Sequence, residues 1–122
     1  FAAAYRKLQP PFAVGTMDSL LAGAILADDS FMDETRRYVR EAKEKMTAIL
    51  SQKKNIRVAD TDPGVPIALL TLDQGHMAAR LAAMGISCEA GGGFFDLDGR
   101  SARVRVPSPG RLEEFLRRIS EL

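Results

Sequence analysis

Arg103 and Arg105 alternate with Ala102, Val104 and Val106 near the end of the chain. Period-two alternation of this kind makes a half-buried strand, with the alanine and valines on one face and both arginines on the other. A guanidinium is a planar fork of donors that pairs with a carboxylate through charge-assisted hydrogen bonds. On the strand pattern alone, solvated arginines on an edge strand are the default reading, and a ligand-binding arginine is the alternative.

The other reactive side chains carry weaker signals. His76 is the sole histidine and has no cysteine or second histidine nearby in sequence, so it reads as a surface residue and no metal site is expected. Cys88 sits among apolar neighbours and reads as a small buried hydrophobe. Lys7, Lys43, Lys45, Lys53 and Lys54 read as solvated charges. Gly91-Gly92-Gly93 is followed by Phe94-Phe95-Asp96-Leu97-Asp98-Gly99, not by a helix start with Lys-Ser/Thr, so it is not a phosphate-binding loop. Asp98-Gly99 reads as a turn, and Asp96 with Asp98 is too few ligands for a cation. Arg36, Arg37 and Arg40 are offset by Glu34, Glu41 and Glu44 and read as a solvated face.

These residues must be positioned by one modest core, because the chain has 122 residues. Its 17 basic and 16 acidic residues give a net charge of +1, which offers no electrostatic case for nucleic acid or an anionic membrane. The longest apolar stretch, Leu20 to Ala27, is interrupted by Gly23 and is too short to span a bilayer. One cysteine allows no internal disulfide and points to a cytoplasmic setting. The apolar start Phe1-Ala2-Ala3-Ala4-Tyr5 reads as a segment from inside a larger protein.

Gln9-Pro10-Pro11-Phe12 is an extended connector, since proline restrains itself and its predecessor. Thr16 is the expected N-cap of a helix over Met17 to Ala27 that is apolar nearly all round and must be covered on several sides. Ser30 is the expected start of a second helix reaching about Leu50, with the stripe Phe31, Thr35, Tyr38, Ala42, Met46 and Ile49. Strands are expected at Ile56 to Ala59, Val65 to Leu72 with Pro66 at its beginning, Ile86 to Ala90, and Ala102 to Val106. Asp73 is the expected cap of a helix carrying Met77, Leu81 and Met84, closed by Gly85 at C′ with Ile86 making the contact after it. Ser108 and Pro109 open a last helix with Leu112, Phe115, Leu116, Ile119 and Leu122 on its buried side. The expected fold class is α+β: a small three- to four-stranded sheet with helices on one face, preceded by a long helix.

That order resembles the small domain of fold-type I pyridoxal-phosphate (PLP) enzymes, and within them the histidinol-phosphate aminotransferase and threonine-phosphate decarboxylase group. Three stretches carry the resemblance: Pro11-Phe12-Ala13-Val14-Gly15, the run from Ala22 to Leu50, and Gly85-Ile86-Ser87-Cys88 followed by a loop, Ala102 to Val106 and a final helix. The resemblance implies a connector over 1–15 from a large domain, interdomain helices over 16–50, and a small α+β domain over 51–122. It implies that Arg103 binds the substrate's carboxylate. It also implies that PLP is held by the large domain, and that no cofactor or catalytic residue lies in this segment. The implied partners are that large domain, an amino-acid or phosphorylated amino-acid substrate, and a second subunit of a homodimer. Arg105, Pro107, Phe12, Ala13, Gly15 and the three glycines depart from the family's usual residues. A PLP-dependent decarboxylase or selenocysteine-synthase-like enzyme of the same fold therefore stays open. So does a non-catalytic domain that binds a small acidic ligand or a protein.

Overall fold

The computed structural model describes residues 14–122. Lys7 and most of the expected connector, including Pro10, Pro11 and Phe12, lie outside the described residues. The chain divides into two compact units, Phe1–Glu34 and Thr35–Leu122.

In the first unit, α1 spans Thr16–Leu26. Its N-cap is Gly15 instead of the expected Thr16, and the Asp18 carboxylate accepts the Gly15 N–H at 3.3 Å. Met17, Leu20, Leu21, Ile25 and Leu26 on this helix are all exposed. The next helix, α2, spans Asp29–Leu50. Its cap is Asp28, not the expected Ser30: Asp28 Oδ1 accepts the Ser30 hydroxyl at 2.7 Å and the Phe31 N–H at 3.1 Å. Those two bonds hold the Asp28 carboxyl below the usual carboxylate range. A carboxylate also suits the positive end of the helix dipole, which is why it displaces the serine.

The second unit is a sheet with helices on one face. From Thr35 onward α2 buries Val39, Ala42, Met46 and Leu50, so its stripe is rotated slightly from the expected one: Thr35 is exposed, and Tyr38 and Ile49 are half-buried. The Tyr38 hydroxyl donates to the Pro107 carbonyl at 2.6 Å, tying this helix to the segment after the last strand. The strands are β1 (Ile56–Val58), β2 (Ile67–Leu72), β3 (Glu89–Ala90) and β4 (Ser101–Arg105). They form one four-stranded antiparallel sheet in the order β1-β2-β4-β3. Pro66 lies just outside β2 and uses its carbonyl to accept the Val106 N–H at 2.9 Å, a role that needs no proline N–H.

Between β2 and β3 lies α3, Met77–Ala83, and the chain ends in α4, Leu112–Ser120, entered through a 3₁₀ turn at Pro109–Arg111. Ala68, Leu70, Leu72, Ala102 and Val104 point from the sheet toward Met46 and Leu50 of α2, Met77 and Leu81 of α3, and Phe115 and Ile119 of α4. Asp73 does not cap α3. Its N–H is bonded to the Asn55 carbonyl at 3.1 Å and its carboxylate faces Arg57, while the first free donor of the helix, Met77 N–H, goes to the Gly99 carbonyl at 3.0 Å. The expected end of the helix is present. Gly85 has φ +69°, its N–H bonds to Ala82 and the Ile86 N–H bonds to Leu81, both at 2.9 Å. Ile86 is then held in the core, so Ser87 and Cys88 must climb from the helix layer to the sheet. This shortens the expected strand over Ile86 to Ala90 to the two residues of β3.

On α4, Glu114 accepts hydrogen bonds from Arg117 Nε at 3.0 Å and Nη2 at 2.9 Å, and from Arg118 Nε at 2.7 Å. These bonds, Arg117's first, lower its carboxyl from 4.5 to about 2. The depressed folded value makes its contribution full above pH 4.5 and lost as pH falls through about 2. Urea unfolding at stepped pH should therefore show Glu114→Gln less stable than the parent by a constant, small, salt-sensitive amount above pH 4.5. The two proteins should converge below about pH 2. A gap that persists there would mean the loss has another origin.

Candidate functional site

The face of the sheet opposite the core carries Arg57, Thr71, Leu69, Ile67, Arg103, Arg105 and Glu89, none of them fully buried. Strand alternation puts them there: with Ala102 and Val104 drawn into the core, Arg103 and Arg105 must point the other way. Leu69 lies directly across from Arg103 on β2 and Glu89 directly across on β3. The Glu89 carboxylate pairs with Arg103 Nη2. The Phe94 ring covers the guanidinium, 5.2 Å from its central carbon, a cation–π contact. Glu89 is the only hydrogen-bond partner of Arg103 among the described residues, so Nε–H and both Nη1–H groups stay open to a ligand.

A shallow groove runs where Ser87 and Cys88 stand away from β4. Pro66, Ile67, Arg103 and Arg105 line it as well. Arg105 makes no ion pair among the described residues. Burial raises the Cys88 thiol, so it stays protonated at neutral pH and adds a small apolar surface to the groove, not a nucleophile. The arrangement suits binding of an anion beside an apolar strip. It contains no base next to a nucleophile.

The remaining candidates fall into structural roles. His76 is exposed and packs its ring against Gly99, and no group of three or more metal-binding side chains occurs among the described residues. Asp98 accepts the Arg100 N–H at 2.9 Å and pairs with Arg100 Nε at 2.8 Å, which closes the expected turn. Gly91–Gly93 forms a single 3₁₀ turn, and Gly91 is required because its backbone presses on Ser101 and on the Asp98 carbonyl. Phe94 belongs to the arginine site, while Phe95 is 93% exposed.

Lys43 corrects the expectation of a solvated lysine. It is buried, and its ammonium donates to the carbonyls of Asp62 at 2.6 Å and Val65 at 3.2 Å, strapping the loop before β2 to α2. Its place beside Ala42, one turn before Met46, was the available signal. Lys53 donates to the Ser120 carbonyl at 2.6 Å, and Lys45 and Lys54 are exposed.

No protein-family model matches this sequence, and no curated protein does either. Among solved structures, the histidinol-phosphate aminotransferase from Clostridium acetobutylicum is similar, with a TM-score of 0.71 at 19% sequence identity. The fold is aminotransferase-like. The likeness covers 98% of this chain but only 36% of that enzyme's chain, so the chain spans about a third of the aminotransferase's length. At this identity the likeness establishes architecture and leaves chemistry to the residues. The residues described here do not fit the cofactor of such enzymes. A PLP aldehyde needs a lysine amine, and Lys43 and Lys53 spend theirs on backbone carbonyls while Lys45 and Lys54 stand on the surface. No helix among the described residues is long and apolar enough to cross a membrane.

Proposed function

We propose that this chain is the C-terminal small domain of a PLP-dependent aminotransferase-like enzyme, that it binds the carboxylate of an amino-acid substrate through Arg103, and that it is inactive alone. The observation that carries this reading is Arg103 on the face of the sheet opposite the core, with a groove beside it and, among the described residues, most of its donors unspent. An aromatic cover and an apolar groove stabilise a solvated arginine too, through cation–π attraction and packing of its stem. A carboxylate-binding arginine gains rigidity from the first and a seat for the rest of its ligand from the second.

A further feature supports it. The apolar side chains of α1 are exposed and call for a covering surface, which the remainder of a longer polypeptide would supply. In this reading a large domain holds PLP. The cofactor then supplies the electron sink, and this domain supplies orientation and the exclusion of water. The assembled enzyme is proposed to be a homodimer.

The test uses the enzyme encoded by the whole gene. Arg103→Ala should raise KM for carboxylate-bearing substrates about tenfold. That is roughly 1.5 kcal/mol, the low end for a charged hydrogen bond, because the guanidinium is partly exposed. Arg103→Lys should restore part of the loss, since it keeps the charge but not the fork. Unchanged kinetics in Arg103→Ala would remove this residue from the site.

A further inference from the structure

We infer that Glu89 is a specificity-determining residue of the Arg103 site, one that admits a single carboxylate and turns away ligands bearing a second negative group beside it. The inference rests on the proposed carboxylate role of Arg103. The two residues face each other across the β3–β4 register and their side chains are paired on the open face. The pairing uses Nη2 alone, so a ligand carboxylate can still bind through the free donors, but it must then lie within a few ångströms of the Glu89 carboxylate.

Glu89 thus does two things. It holds the guanidinium at Nη2 while Phe94 covers one face, so the plane of the remaining donors is restrained. It also cancels the Arg103 charge before any ligand arrives. A monocarboxylate meets one repulsion, which the free donors outweigh. A dianion meets that repulsion twice, and the neighbouring cation that could offset it is Arg105, one strand repeat further along, which makes no ion pair among the described residues.

The experiment is a titration of the enzyme encoded by the whole gene with propionate and with succinate at constant ionic strength, followed through the Arg103 Nε–H resonance. Glu89→Gln keeps a hydrogen-bonding group and removes the charge. Removing one like charge at contact range should tighten propionate roughly fivefold, and succinate by roughly a further three- to fivefold. Glu89→Asp, which keeps the charge, should leave the ratio of the two affinities as in the parent.

A succinate-to-propionate ratio that is unchanged or lower in Glu89→Gln overturns the inference. So does a shift of equal size in Glu89→Asp, which would trace the effect to geometry and not to charge. Arg103→Ala is run in parallel. If it still binds propionate as the parent does, the carboxylate reading of Arg103 has failed. If it loses binding while the Glu89 ratio stays flat, the failure belongs to this inference alone.

Discussion

Leu81→Ala should lower the free energy of unfolding by about 2–5 kcal/mol. Leu81 is fully buried at the middle of α3, a helix of seven residues. A helix this short has no stability of its own and is held by what it packs against. Its leucine side chain meets a core built from α2, α4 and the inner face of the sheet. The Leu81 carbonyl also accepts the Ile86 N–H at 2.9 Å and the Met84 N–H at 3.0 Å, so the backbone there is pinned and collapses poorly into a cavity. Urea unfolding would read the loss as a lower midpoint at unchanged slope. Leu81→Met, which conserves volume, should cost under about 1.5 kcal/mol. A loss of under about 1 kcal/mol in the alanine variant would mean that α3 is not seated as described.

Gly91→Ala should cost about 3 kcal/mol, the upper end of the range for overpacking. A Cβ on Gly91 would stand 2.5 Å from the Asp98 carbonyl oxygen, 2.8 Å from the Ser101 carbonyl oxygen and 2.8 Å from Ser101 Cβ. Two of these obstacles are backbone and cannot rotate aside. The Gly91 carbonyl accepts the Phe94 N–H at 2.9 Å, so a shift of the turn also moves the ring that covers Arg103. The variant should therefore lose stability and broaden the Arg103 Nε–H resonance together. Gly92→Ala is the control: nothing lies within 4 Å of its Cβ, and its effect should stay below about 1 kcal/mol. Equal losses at the two positions would refute the contact.

The sequence made the layered order and the one-sided burial readable, because both follow from periodicity. Ala102, Val104 and Val106 announce which way β4 faces, and the spacing of Phe115 and Ile119 does the same for α4. Gly85 was readable because a left-handed residue closing a helix favours glycine. The caps were harder. Asp28 and Ser30 are both good cap residues two positions apart, and the structure decides for Asp28, whose carboxylate accepts the Phe31 N–H three residues on. Asp73 looked like a cap because nothing local says that Gly99, far along the chain, supplies the acceptor for Met77.

The site was half readable. Alternation exposes Arg103, but its partner Glu89 depends on a strand register set through the turn at Gly91–Gly93 and the loop after it. No short-range pattern reports a pairing of that kind. Lys43 was misread for a related reason. Its carbonyl acceptors belong to a loop about twenty residues away, and charge alone argued for water.

The strand lengths also bear on how copies of this protein meet. The long members, β2 and β4, are interior, while the rims are β1 with three residues and β3 with two. A rim that short displays too few unpaired main-chain groups to template a neighbour's strand. Cross-β stacking of one molecule onto the next is therefore disfavoured at both ends of the described sheet.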